Sequence, residues 1–294
     1  MNNAQQGILE DETKLARYLT FALKNQVGVH AIFSILQDMI DPTHTVIGFG
    51  PTLLAATNVK IPDMKEMSPQ TTTTIEIPST PAALWVWLRG DDRGKLYHRS
   101  RKLVNALSSH FELIDSTDSF QYDRNRDLSG YEDGTENPKG VEAEAAAIVQ
   151  NKGMGIDGSS FVAVQKWLHN FEAFDKMTVA VQDDTIGRHV CDNEEFDEAP
   201  SSAHVKRSAQ ETFEPEAFIL RRSMPWAESM NAGLMFVAFG HSFDAFEAIL
   251  NRMIGLDDSI EDALFEFTKP INGAYFWCPP IKNGKIDLSA LNLK

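Results

Sequence analysis

Both halves of this chain pass through the same kinds of element in nearly the same order, and that pattern narrows the possible folds more than any other feature. Short apolar runs of β character sit at residues 15–24, 45–49 and 83–88, and again at 160–167, 217–220, 234–239 and 274–277. Helical character falls at residues 29–40, 95–111, 141–149, 171–179, 243–253 and 260–267. Ser242 is placed to cap the helix at 243–253, with Asp244 in its first turn. Each half thus reads roughly strand, helix, strand, strand, helix. The expected fold is α+β, two units whose antiparallel sheets are faced by helices. Their boundary is expected between residues 121 and 138, which gives units of 1–130 and 131–294. No internal sequence repeat accompanies the repeated pattern. Residues 64–74 and 192–202 read as surface loops, and the second, which is acidic, runs straight into His204.

A chain of 294 residues, 43% hydrophobic and 23% charged, can build a core large enough to enclose a cofactor. Its net charge of −15 repels nucleic acid and anionic membranes alike. The two cysteines, Cys191 and Cys278, make no disulfide framework, and the absence of Cys-x-x-Cys-His excludes covalent c-type haem. Cys278-Pro279 could be read as a thiolate haem ligand, but a small buried residue at a strand end is the favoured reading. The first residues carry no basic region, apolar run or twin arginine, and no apolar stretch reaches the length of a membrane span. A cytoplasmic protein is expected.

The chemistry concentrates in the second half. Gly130-Tyr131-Glu132-Asp133-Gly134-Thr135-Glu136-Asn137-Pro138 sets one carboxylate between two glycines and ends on a turn signal. Such a loop lets the backbone approach a flat ligand and lay Asp133 over its face. The bland alternative for Asp133 is a turn or helix-capping aspartate. Downstream, Ser202-Ala203-His204-Val205-Lys206-Arg207 offers an imidazole, and Arg221-Arg222-Ser223-Met224 a guanidinium. Adjacent strand residues point to opposite faces, so only one of Arg221 and Arg222 can face the same site. An acid, an imidazole and an arginine are the parts a haem peroxidase needs. Asp123-Arg124-Asn125-Arg126-Asp127 begins like a calcium loop, but Leu128 replaces the required glycine and Gly134 the bidentate glutamate.

Gly130-x-x-Asp133-Gly134, with His204 and Arg221 following in that order, resembles the dye-decolourising peroxidase family. Three further stretches resemble blocks of that family in family order: residues 160–169, Ile186-Gly187-Arg188, and residues 267–276. The resemblance runs from about residue 121 to 280, more weakly upstream, and is closest to the compact bacterial members. It implies two ferredoxin-like units in a dimeric α+β barrel-like arrangement, with haem b held mainly by the second. His204 becomes the axial ligand of the haem iron, one of eight histidines, His30, His44, His98, His110, His169, His189, His204 and His241. Asp262 is the expected carboxylate partner behind it, with Asp257 and Asp258 as rivals.

By the same resemblance Asp133 is the acid–base residue that moves a proton between the two peroxide oxygens. Arg221 is the fixed charge beside the peroxide, chosen because the family pattern of Arg-x-Asn/Ser-Met matches residues 221–224. Ser223 stands where many relatives carry Asn. Gly134, Thr135 and Glu136 are expected near the cofactor. Leu234 and Phe236, on one strand face, are expected over the haem or simply in the core. Arg207 is expected either on a haem propionate or solvated. Tyr131, Trp226, Tyr275 and Trp277 are candidate radical carriers, more ordinarily packing residues.

The implied activity is peroxide-driven oxidation of dyes and phenols through an oxo-ferryl intermediate, by a homo-oligomer of two or more copies. The alternatives are a haem carrier or iron-release protein of the same fold, and a haem-free interaction protein. The segment 281–294 has no long Gly/Pro linker of the kind that carries encapsulin cargo signals.

Overall fold

A computed structural model of the chain describes residues 3–24 and 29–292, with only the backbone at residues 29 and 30. The reading of the first two residues and any role for the His30 side chain lie outside those described. Eight strands carry the architecture: β1 Leu15–Leu23, β2 Thr45–Phe49, β3 Leu84–Gly90, β4 Phe111–Phe120, β5 Ser160–His169, β6 Met224–Glu228, β7 Asn231–Gly240 and β8 Ala274–Cys278. They pair antiparallel in the order β5-β8-β2-β3-β1-β4-β6-β7, and β7 pairs back onto β5 to close the sheet into a barrel. The short strands Thr268–Pro270 and Leu220–Arg221 extend it along β5 and β7.

Within each half the order is the same: fourth, first, third, second. The halves meet at two thin seams, where β8 pairs with β2 through Trp277 and Phe49, and β4 with β6 through Ser119 and Trp226.

Side chains alternate across a strand, so each has one set facing into the barrel and one facing out. The inward set includes Tyr18, Val46, Trp85, Trp87, Val164, Val237, Phe239 and Phe276, which form one buried cluster. Tyr18 stacks on Trp85 and Trp87 at ring separations of 6.1 and 6.0 Å, and Trp85 on Phe276 at 6.1 Å. Cys278 belongs to this cluster and is fully buried. Burial pushes its thiol well above the ordinary range, so it is a packing residue and not a thiolate ligand.

In the first half the outward set, Leu19, Phe21, Ile47, Phe49 and Val86 among them, is sealed by the helices Val29–Met39 and Arg93–Leu107. Phe33 meets Phe49 edge-on at 5.3 Å.

Two strands escape the sequence pattern. The helix expected over residues 95–111 ends at Leu107, and Phe111 instead opens β4. The sequence FELIDSTDSF shows no clean alternation, and Leu113 and Ile114 are exposed. Pairing with β1 along the whole strand, from Leu15 opposite Phe120 to Leu23 opposite Phe111, decides its conformation. β6 is short, contains Pro225, and likewise forms through its partner β7.

The helix expected at 171–179 is two helices, Phe171–Phe174 and Val179–Ile186, each opened by its own side-chain cap, Asn170 and Thr178. The strand expected at 217–220 is displaced to Leu220–Arg221. Asp244–Met253 begins after Ser242, whose Oγ accepts a hydrogen bond from the Asp244 amide at 3.2 Å. Residues 263–266 form one 3-10 turn rather than a longer helix. No described helix is long and apolar enough to cross a membrane.

Candidate active site

The outward face of the second-half sheet is not sealed. Gln165, Trp167 and His169 of β5 and Leu234 and Phe236 of β7 look onto a cavity of about 290 Å³, near the lower end for small-molecule pockets. Its other walls are Phe246, Ile249, Leu250 and Met253 of the helix Asp244–Met253, together with Leu264, Phe267 and Ile219. The lining is mostly apolar, with polar groups at a few points. Those groups include His204, Asp133 and Arg221.

His204 opens the short helix His204–Arg207. That helix sits against the end of Val179–Ile186, which Gly187 closes with φ +90°. A Cβ on Gly187 would lie 2.3 Å from Val205, so the close approach of the two segments requires glycine. His204 Nδ1 lies 2.7 Å from Asp262 Oδ2, and Asp262 is fully buried. The other oxygen of Asp262 accepts from the Leu264 amide at 2.8 Å, which fixes the carboxylate. An acceptor at Nδ1 requires the proton there and leaves the lone pair on Nε2. Among the described residues Nε2 has no hydrogen-bond partner. The rivals are otherwise engaged: Asp258 with Arg207, and Asp257 with Arg252 at 3.8 Å.

Asp133 Oδ1 lies 3.2 Å from Arg221 Nη1. Gly130 and Gly134, at φ +94° and +74°, give the loop the turns that bring Asp133 to the strand Leu220–Arg221. Asn137 ties the two together in the manner of a sheet partner. Its Nδ2 donates to the Arg221 carbonyl at 3.0 Å, and its Oδ1 accepts from the Arg221 amide at 2.8 Å. Asn137 reads in the sequence only as half of an Asn-Pro turn, so its clamp on Arg221 was not visible there. Arg222 faces the other way, donating to the carbonyls of Ile8 and Leu9 at 3.1 and 2.9 Å.

Thr135 and Glu136 line the cavity, as do Leu234 and Phe236. Gly134 and Ser223 instead line a smaller polar cleft that shares Asp133, Arg221 and Leu234 with it. Ser223 Oγ accepts from the Val237 amide at 3.3 Å.

Arg207 differs from both of its expectations. It is buried, it makes a bidentate pair with Asp258 at 2.7 and 2.8 Å, and it is not part of the cavity wall. A bidentate carboxylate already satisfies the fork of donors that a propionate or water would need. Tyr131, Trp226, Tyr275 and Trp277 are all buried, and none is itself a surface site.

A second imidazole–carboxylate pair in the wall had no distinguishing signal in the sequence. His169 Nε2 lies 3.0 Å from Asp127 Oδ1, and Nδ1 lies 2.6 Å from Thr268 Oγ1. Burial alone would raise the Asp127 carboxyl. The His169 bond and charge and the Ser129 amide outweigh it and hold the group below the usual carboxylate range. Arg188, from the Ile-Gly-Arg stretch, bridges Glu136 and Glu195 at 2.9 and 3.0 Å across the rim.

Residues 124–283 match the model of a protein family described as Dyp-type peroxidase, C-terminal. A dye-decolorizing peroxidase of Rhodococcus erythropolis is 31% identical over 208 residues, which covers 69% of this chain and 61% of that protein. The match therefore spans about three fifths of the curated relative's length. A putative Dyp-type peroxidase structure from Shewanella oneidensis superposes with a TM-score of 0.89 at 26% identity, over 99% of this chain and 98% of that one. A variant of DypB from Rhodococcus jostii RHA1, solved in complex with heme, superposes with a TM-score of 0.87 at 23% identity, over 95% and 97% of the two chains.

Proposed function

We propose, from the premise that this chain belongs to the Dyp-type peroxidase family, that it is a haem b peroxidase using hydrogen peroxide to oxidise dyes and phenolic compounds. One observation carries the reading: a single apolar cavity is lined both by an imidazole fixed by a buried carboxylate and by a paired aspartate and arginine. The donor set fits haem, since a porphyrin needs apolar walls and one neutral imidazole lone pair. Leu234, Phe236, Phe246 and Leu250 provide such walls, and His204 Nε2 the lone pair. The heme complex of the structurally similar Rhodococcus jostii protein supports the same choice.

Haem held there would supply the redox-active iron centre needed for two-electron reduction of peroxide and one-electron oxidation of the donors. The residues of the chain do the rest. His204 would hold the iron through Nε2, and Asp262 would fix the ring and its tautomer by accepting a hydrogen bond from Nδ1–H. Asp133 takes the proton from one peroxide oxygen and returns it to the other, so that the departing oxygen leaves as water. Arg221 steers the peroxide and offsets the negative charge that develops on the departing oxygen. Asn137 keeps the Arg221 backbone in register with the Asp133 loop. Thr135 and Glu136, which line the cavity, would be among the residues facing the cofactor, and Gly134 and Ser223 line the neighbouring cleft.

The shared fourth-first-third-second strand order supports two ferredoxin-like units, residues 1–130 and 131–294, with the cofactor on the second. A cytoplasmic homo-oligomer, dimer or larger, is the assembly that the family resemblance favours, with no nucleic acid or membrane partner for so acidic a chain.

Replacement of Asp133 by Asn tests the reading. The haem-loaded variant keeps its absorbance spectrum, and peroxide-driven bleaching of an anthraquinone dye falls about 100- to 10,000-fold, the usual contribution of a positioned acid–base group. Equal bleaching by variant and parent would remove Asp133 from the chemistry and favour a haem carrier.

A further inference from the structure

The polar cleft beside the cavity is bounded at one point by Glu12, from the segment between the helix Gln6–Leu9 and β1. Glu12 and Asp133 line the same cleft, and Asp133 and Arg221 also line the main cavity. The paired Asp133 and Arg221 thus stand between the two spaces. The cleft encloses about 50 Å³, room for a few waters at ~10–15 Å³ each. Arg222 holds the segment in place through the Ile8 and Leu9 carbonyls and lies 3.7 Å from Glu12 Oε1. The Glu12 side chain is only 12% exposed.

Three charged groups act on Glu12: Arg222 on the strand side, Asp133 on the loop and Asp11 on its own segment. Tyr18 on β1 feels the Glu12 charge in turn. Burial raises the Glu12 carboxyl above its ordinary value. Arg222 and its own backbone amide counter this, and Asp133 and Asp11 add to it. A buried carboxyl biased towards its protonated form, across a wettable cleft from another carboxylate, is arranged to hand a proton on.

We propose that Glu12 is a proton relay that reloads Asp133 from the far side of the cleft. The inference rests on the peroxidase reading above. Reduction of peroxide by electrons alone follows H2O2 + 2 e− + 2 H+ → 2 H2O, so two protons must enter for each peroxide. A phenol brings a proton with each electron. A donor such as ferrocyanide brings none. In that case the Glu12 O–H bond breaks, its proton passes through cleft water to the Asp133 carboxylate and from there to the peroxide oxygen still to be released, which leaves as water once it has received two protons and two electrons; Asp133 returns to carboxylate, and Glu12 is reprotonated from solvent. Delivery is fastest while Glu12 is protonated, so the rate with ferrocyanide falls as pH rises through the elevated Glu12 titration.

Glu12→Gln keeps the size of the side chain and one acceptor for Arg222, but cannot carry the proton. In haem-loaded protein, peroxide-dependent oxidation of ferrocyanide should fall on the order of tenfold, less than for a residue that touches the peroxide, and lose that pH limb. Oxidation of a phenol should be far less affected, and Glu12→Asp should restore part of the ferrocyanide rate. A second readout needs neither haem nor turnover. With 13C-labelled glutamate in the haem-free protein, Asp133→Asn should lower the Glu12 titration midpoint, because a negative neighbour is gone. An unchanged ferrocyanide rate and pH profile in Glu12→Gln, equal slowing with both donors, or no movement of the midpoint would each overturn the relay. The peroxidase reading fails separately, if Asp133→Asn bleaches dye as fast as the parent.

Discussion

The two halves of the barrel share one strand order and treat its outer face in opposite ways. In the first half that face is filled: two long helices seal it with Phe33, Leu36, Leu96 and Leu103 against Phe49 and Val86. In the second half the chain between β5 and β6 runs through short helices and turns, and one helix, Asp244–Met253, stands across a cavity. A single sheet architecture therefore gives a structural unit and a binding unit. The difference lies in whether helices of sufficient length close over it.

The largest expected effect breaks the binding side alone. His204→Ala removes the one cavity imidazole that, among the described residues, has an unpartnered Nε2, and the variant should lose haem or show altered coordination, read as loss or displacement of the main absorbance band. An unaltered spectrum would transfer the ligand role elsewhere.

Matched truncations on the two faces come next. Phe33→Ala leaves a void in a sealed layer and should cost about 3–5 kcal/mol in denaturant unfolding, with the haem spectrum unchanged. Phe246→Ala removes a side chain that already borders open space. It should cost less stability in the haem-free protein and lower haem retention instead. Similar stability losses for both would show that the second face is as tightly packed as the first.

The smallest effect concerns the loop that carries Asp133. The Asp127 carboxyl titrates below its ordinary value when folded. Its contribution to stability is therefore fully present above the usual carboxylate value of ~4 and is lost as pH falls through the folded one. Protection of the amides of residues 127–133, measured against their intrinsic exchange rates, should fall on acidification through that window, and Asp127→Asn should abolish the dependence. The first-half helices, which lack this pair, should not respond there.

How much was legible follows the range of the interactions. Helical periodicity placed Val29–Met39 and Asp244–Met253 within a residue or two, because an amphipathic stripe is written locally. The same periodicity overran Leu107 and hid β4, whose acidic and hydroxylated residues become strand only between β1 and β6. Asp133, His204 and Arg221 could be picked out by their neighbours in the chain, and the structure brings all three to one cavity. Asp262 was the expected partner of His204 ahead of Asp257 and Asp258, and the fold pairs it with His204 and engages the other two elsewhere. Arg207 was misjudged because nothing in the chain announces that Asp258, on the far side of a helix and a loop, would take up its guanidinium.

Taken alone, the order of residues determined most of the strands and helices of each half, though not β4 or β6, together with the glycine-flanked aspartate and the residue types a peroxide site requires. Those properties depend on neighbours a few positions away, through backbone sterics and periodicity. Closure of the barrel, the open face beside β5 and β7, the Asn137 clamp and the place of Glu12 behind Asp133 were decided only in three dimensions. Each depends on contacts between segments far apart in the chain, which exist once burial of the aromatic barrel core has brought them together.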